Sequence, residues 1–239
     1  EYTMLQKTYK RIQSIDNICK PIIICNEEHR FIVGHQMKAI KVDPLCILLE
    51  PEVRNTTPAI TLAALKALEI YKKKNIDPIL LILSSDHQIK DIDNFQNAIK
   101  NSIDLALNDN LIIFGVPPTY PSTGYGYIKA ESQLDQNKNS ASKVDRFIEK
   151  PDERTAKLFI EDKKYSWNSG MFVFKATSIL NEIKSFAPEI LINCKKCLIK
   201  SERDLDFFRI EEESFRNCEN VSIDISVFEK TKKAFVIPL

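Results

Sequence analysis

The sequence predicts an α/β fold, a mostly parallel mixed sheet flanked by helices. Two observations predict it. Several short runs are apolar almost throughout, "PIIIC" (21–25), "CILLE" (46–50), "PILLIL" (78–83) and "LIIFGV" (111–116), as suits strands buried on both faces. Helical patterns alternate with these runs at roughly 20–30 residue spacing, the signature of strand–helix–strand units. With 239 residues, 44% of them hydrophobic, the chain can bury a substantial core.

Taken in order, residues 3–17 place Leu5, Tyr9, Ile12 and Ile15 near one helical face. Strand 21–25 leads to Asn26, a suitable N-cap for a helix over 27–40. Strand 46–50 is followed by the polar loop "PEVRNTT". Pro58 fits the first position of the next helix with Thr57 as its N-cap, and the lysines at 72–74 suit its negative end. Strand 78–83, a helix over 93–107 and strand 111–116 complete the first half. In the second half "TGYGYIKAE" (123–131) and "SKVDRFIEK" (142–150) read as strands around "SQLDQNKNSA", expected to be a mobile surface loop. A helix over 152–162, the strand "WNSGMFVFKA", mostly helical patterns to about 230 and the strand "KAFVIP" (233–238) follow. With no repeat or Pro/Gly/Ser-rich linker, residues 1–239 are expected to form a single domain.

A net charge of +1 gives no global electrostatic case for nucleic acid or an acidic membrane surface. No run approaches the ~18 apolar residues of a membrane span, and no stretch has the basic start and apolar middle of a secretory leader. The six cysteines are expected to be reduced and the protein cytoplasmic. Cys194 and Cys197 would share a helix face; the second pair that a zinc ribbon needs does not occur. The start at Glu1 and the stop at Leu239 are expected to be cut ends of a longer chain.

Four polar stretches interrupt strand ends: "EPEVRNTTPA" (50–59), "SSDHQ" (84–88), "STGYGY" (122–127) with "FIEKPDE" (147–153), and "WNSGMF" (167–172). Loops after parallel strands converge on one edge, where ligands bind. Asp86 is either a turn or cap residue or a hard ligand for Mg²⁺, which takes one or two carboxylates plus substrate phosphates. His87 is read as a supporting neighbour. Glu149 and Lys150 form an exposed ion pair, or present a hydroxyl acceptor and a phosphate-binding ammonium at a strand end. Gly124 and Gly126, two of only five glycines, mark a plain turn or a close backbone approach to a ligand. The Trp167–Gly170 stretch is a β-bulge, or offers Asn168 to hydroxyls. Neither GxGxxG nor GxxxxGK[ST] is present. These residues alone indicate an α/β protein that binds an anionic or hydroxyl-rich small molecule.

The same stretches, with "MLQKTYKRI", "ICNEEHRFIV", "ILLEPEVRNTTPAITLAAL", "SSDHQIKDIDNF", "FGVPPTYPSTGYGYIK", "VDRFIEKPDERTAKLFI", "YSWNSGMFVFKA" and "VSIDISVFEKTKKAFVIPL", resemble the mannose-1-phosphate guanylyltransferase family of bacterial sugar-nucleotide pyrophosphorylases. The ordered set spans nearly the whole chain. The resemblance implies a glycosyltransferase-A-like (Rossmann-like) fold. It implies conversion of mannose 1-phosphate and GTP into GDP-mannose and pyrophosphate, and a homodimer is compatible with it. It puts Arg54, Asn55, Thr56, Pro58 and Ala59 at guanine and ribose, and Asp86 on Mg²⁺. Gly124, Tyr125 and Gly126 would border the sugar, Glu149 would bond its hydroxyls, Lys150 would hold its phosphate, and Asn168 and Ser169 would close the pocket. Asp86 and Lys150 are the catalytic pair so implied. The family's glycine-rich nucleotide loop would precede Glu1 and its second metal-binding aspartate would follow Leu239, so residues 1–239 alone are expected to turn over negligibly. A noncatalytic sugar-nucleotide-binding regulatory subunit, or a pyrophosphorylase for another sugar 1-phosphate and nucleotide, are the alternatives.

Overall fold

The computed structural model describes residues 1–135 and 138–239. Its strands form two sheets. A four-stranded sheet has the order β1 (Ile22–Asn26), β2 (Cys46–Glu50), β9 (Phe207–Arg209), β8 (Glu202–Asp204). A six-stranded sheet has the order β3 (Ile79–Ile82), β7 (Tyr165–Lys175), β4 (Leu111–Val116), β10 (Ala234–Pro238), β6 (Ser142–Ile148), β5 (Tyr127–Ala130), and β5 also pairs with β7.

In the larger sheet β3, β4, β5 and β10 run one way and β6 and β7 the other. The expected common direction therefore holds for most strands. Antiparallel β7 nevertheless separates β3 from β4, so that the parallel neighbours are β4–β10, β1–β2 and β2–β9. Side chains along β4 alternate faces, as a pleat requires. Leu111 and Ile113 enter a core with Ile60 and Ala64 of α3 (Thr56–Tyr71) and Ile179 and Ile183 of α6 (Ala176–Phe186). Ile112 and Phe114 point to the other face, against Phe95, Ala98 and Ile99 of α4 (Ile92–Leu107).

The smaller sheet packs on α3 and on α7 (Pro188–Ile199), whose Cys194 and Cys197 are buried with Cys218. Three-residue spacing turned both thiols to one inner face. Among the described residues β1 and β3 each pair on one side only. Their apolar residues are half-buried, whereas Ile47–Leu49 and Leu111–Phe114 are fully buried. The expectation that 78–83 is buried on both faces is thus corrected: β3 is an edge strand.

Other differences are local. α1 (Met4–Lys10), fixed by a capping box between Thr3 and Gln6, is shorter than predicted, and Ile12 and Ile15 reach the core from turns. A short 3-10 turn capped by Asn26 precedes α2 (Arg30–Ala39). The N-cap of α3 is Asn55, not Thr57, because the Thr57 hydroxyl is spent on Val221 O at 2.8 Å. α5 (Glu153–Glu161) starts at its Asp152 cap. The region expected to be mostly helical contains the β8–β9 hairpin, α8 (Glu212–Arg216) and a π-helical turn at Asp224–Phe228. Within the expected mobile loop, Gln136 and Asn137 lie outside the described residues, while buried Asn139 donates from Nδ2 to Pro238 O at 3.0 Å.

Candidate active site

The bulge read from "WNSG" is present and is the origin of the site. Along β7, Phe172 lies opposite Ile113 but Asn168 lies opposite Gly115, so the strand gains residues around Gly170, which has φ +68°. Asn168 is then held by three hydrogen bonds. Its backbone N–H donates to Gly126 O at 2.8 Å, its Nδ2 donates to Asp224 Oδ1 at 2.9 Å, and its Oδ1 accepts from Gly170 N–H at 2.9 Å. Ser169 turns its hydroxyl back to accept from Met171 N–H.

β6 delivers Glu149 and Lys150 to the same place, since Ile148 pairs with Tyr127. The Glu149 carboxylate lies directly over Gly126: a Cβ there would stand 2.7 Å from its Oε2 and 3.2 Å from the Phe147 ring. Any side chain at Gly126 would have to push the Glu149 carboxylate aside and press on Phe147. Lys150 has left-handed backbone, φ +44°, an uncommon conformation for a non-glycine residue, and its ammonium is 3.6 Å from Glu149. The Lys150 side chain is 65% exposed, free to meet a ligand. Gly124 and Tyr125 sit in the loop before β5, and the Tyr125 ring is 5.1 Å from that of Trp167.

Asp224 was given no role by the sequence. Burial pushes its carboxyl up to about 6; the Asn168 bond opposes this and the Glu149 charge adds to it. Glu229 is raised too, by burial and then by Glu149. The nearest sequence signal was a single carboxylate inside "VSIDISVF", but its partner Asn168 is 56 residues away, a proximity that no local pattern expresses.

The predicted nucleotide loop follows β2. Asn55, in the left-handed region at φ +65°, caps α3 by accepting from Thr56 N–H. Arg54 is paired with Glu52 at 2.8 Å. Thr57 and Pro58 are buried and Ala59 is half-buried, so these residues support the loop from within. Glu50, at the loop's start, has a buried Oε1 without a hydrogen-bond partner among the described residues, and burial pushes its carboxyl up to about 7. Segment 221–226 joins this loop to Asn168: Ile223 N–H donates to Thr56 Oγ1 at 2.9 Å, Thr57 Oγ1 meets Ser226 Oγ at 2.9 Å, and Asp224 accepts from Asn168.

Asp86 is different. It follows β3, whose Ile82 pairs with Phe172, so the chain leaves the sheet at the end where Asn168 lies. Its side chain is 79% exposed. The Ser84 hydroxyl holds its carboxyl below the usual value, with a smaller contribution from His87. The His87 carbonyl accepts from Arg11 at 2.9 Å and so anchors the loop. Depressions of about 630 Å³ at Lys90–Asp93 and about 480 Å³ between α2 and the β8–β9 hairpin are lined by none of the predicted residues.

The family model for nucleotidyl transferases matches residues 1–213. The chain belongs to the nucleotidyl transferase family. It is 45% identical over 237 residues to mannose-1-phosphate guanylyltransferase RfbM of Salmonella typhimurium, covering 99% of this chain and 48% of that protein. The chain thus spans about half the length of the curated relatives it matches. A crystal structure described as mannose-6-phosphate isomerase from Helicobacter pylori superposes with a TM-score of 0.86 at 33% identity, covering all of this chain and 88% of that one. A Thermus thermophilus structure, described as a mannose-1-phosphate geranyltransferase, superposes at 0.79 with 24% identity over 98% of this chain and 63% of its own, and supports the fold alone. The α/β nucleotidyltransferase fold expected from the sequence is the one observed.

Proposed function

We propose that this nucleotidyl transferase chain is the guanylyl-transferring part of an enzyme that makes GDP-mannose and pyrophosphate from mannose 1-phosphate and GTP. The observation that carries the proposal is Glu149 held over Gly126, with Lys150 paired to it and a fixed Asn168 hydrogen-bonded to Gly126 beside them. That set matches a sugar phosphate: a carboxylate and an amide for hydroxyls, and an ammonium for the phosphate. The names of the relatives supply mannose and guanine.

In the reaction a phosphate oxygen of mannose 1-phosphate forms a bond to the α-phosphorus of GTP, and the bond from that phosphorus to the bridging oxygen of pyrophosphate breaks. The attacking phosphate has a second pKa of about 6 and is largely ionised at neutral pH, so no strong base is required. Lys150 neutralises the sugar phosphate while Glu149 and Asn168 orient the sugar. The loop 54–59 receives the nucleotide. Asp86 fits Mg²⁺: it is exposed, ionised and hard. Mg²⁺ takes one or two carboxylates with substrate phosphates, and no closed cage of three or more His, Cys, Asp or Glu occurs among the described residues. When bound, the ion neutralises charge on the reacting phosphates. We place the protein in the cytoplasm, where thiols such as the Cys194–Cys218 pair, 3.8 Å apart, stay reduced.

The test supplies the encoded full-length protein with mannose 1-phosphate, GTP and Mg²⁺. GDP-mannose and equimolar pyrophosphate are expected. Consumption of mannose 6-phosphate without GDP-mannose would instead favour the activity named for the Helicobacter pylori structure. Preference for another sugar phosphate or nucleotide would redefine the substrates, and binding without turnover would indicate a regulatory subunit.

A further inference from the structure

We infer that Asp224 is the positioning residue of the sugar subsite: it locks the Asn168 amide in one orientation, and the π-helical turn that carries it ties that subsite to the nucleotide loop. The inference rests on the sugar-phosphate reading above and deepens it. Asn168 Nδ2 donates to Asp224 Oδ1 at 2.9 Å, and Asn168 Oδ1 accepts from Gly170 N–H at 2.9 Å. A flipped amide would turn its oxygen toward the carboxylate and its NH₂ toward the Gly170 N–H, losing both bonds. Hence one N–H and one lone pair of Asn168 remain for a ligand, in fixed directions. A pocket that distinguishes sugar epimers needs such directional groups, because epimers differ only in where a hydroxyl points.

The second half of the inference stands on the turn itself. Asp224 opens a π-helical turn, an irregularity common at functional sites. Immediately before it, Ile223 N–H donates to Thr56 Oγ1 and Val221 O accepts from Thr57 Oγ1; within it, Ser226 meets the same Thr57 hydroxyl. One short segment thus fixes the start of α3 with one set of bonds and the Asn168 amide with another. A carboxylate stands at this buried place although Glu149 and Glu229 lie near enough to oppose its charge. The bond from Asn168 gives that carboxylate a use.

The test titrates the full-length protein with mannose 1-phosphate, glucose 1-phosphate and GTP by calorimetry. Asp224→Ala should weaken mannose 1-phosphate roughly 10–100-fold, narrow the mannose/glucose preference, and change GTP by less than about 3-fold. Asp224→Asn, whose Oδ1 can accept the same bond, should restore mannose 1-phosphate to within about 5-fold of wild type. In an Asn168→Ala background the Asp224→Ala change should have no further effect on the sugar phosphate. Unaltered sugar binding in Asp224→Ala, or equal losses of sugar and GTP in both Asp224 variants, would overturn the inference. If Asp224→Ala does not fold, Asp224→Asn decides: a tenfold or greater loss with the sugar preference intact would also overturn it. If the wild type binds neither sugar phosphate, the functional reading fails and this inference with it; if it binds only glucose 1-phosphate, the same variants are read on that ligand.

Discussion

The two ends of the candidate site leave the sheet from neighbouring strands, and they are built differently. On β7, Asn168 has both ends of its amide and its backbone N–H engaged, and the Glu149 carboxylate lies close over Gly126. After β3, Asp86 projects into solvent with a serine and a histidine as its neighbours. The proposed sugar end is organised in advance, so its groups would lose little freedom when a ligand arrives. The proposed phosphate end at Asp86 has no such scaffold, as would suit a carboxylate whose partners are a cation and the substrate's own oxygens. On the proposed reading recognition and chemistry separate: substitutions near β7 should act on sugar affinity and substitutions after β3 on turnover.

The largest effect that would break this separation is at Asp86. Asp86→Asn in the full-length protein should lower kcat by about 10²–10³-fold, through loss of charge neutralisation, with mannose 1-phosphate affinity changed less than about 3-fold. A purely affinity-based loss, measured by steady-state kinetics beside calorimetry, would contradict it. Next is Lys150→Ala, which removes a charge-assisted contact worth roughly 1.5–3 kcal/mol and should weaken sugar-phosphate binding about 10–100-fold. Unchanged affinity would remove Lys150 from the site. Gly126→Ala is a subtler probe. The new methyl must displace the flexible Glu149 carboxylate and press on Phe147, so mannose 1-phosphate affinity should fall by about 10-fold while GTP affinity is retained.

The smallest effect on activity is expected at Glu50, which lies under the nucleotide loop and outside both ends. Its folded pKa is raised from 4.5 to about 7, so the folded chain holds a proton that the unfolded chain has lost. Its contribution favours folding below about pH 4.5 and is lost as pH rises toward about 7. Glu50→Gln should flatten that part of the stability curve, by up to about 3 kcal/mol near pH 8. Denaturant titrations of both proteins at pH 5 and pH 8 would measure the difference, and parallel curves would show that Glu50 titrates normally.

Local patterns exposed much of this molecule. Unbroken apolar runs located β1, β2, β3 and β4, and Asn26 was visible as a cap. What a run cannot state is its neighbours. "PILLIL" reads like a central strand, but among the described residues it pairs only with antiparallel β7. The hairpin Glu202–Arg209 escaped because charged residues and a left-handed Leu205 break its alternation. At the site, Gly126, Glu149 and Asn168 stood out by residue type at strand ends, and space then joined them. Thr57 read as a cap because Pro58 follows it; its hydroxyl is instead engaged 164 residues away at Val221. Asp224 needed the same long-range information.

The most direct test of the separation between a prebuilt sugar end and a metal-assembled phosphate end is calorimetry of the full-length protein with and without Mg²⁺. Removing Mg²⁺ should change mannose 1-phosphate affinity by less than about 3-fold and weaken GTP binding by more than about 10-fold. Equal dependence of both ligands on Mg²⁺, or none for GTP, would contradict it.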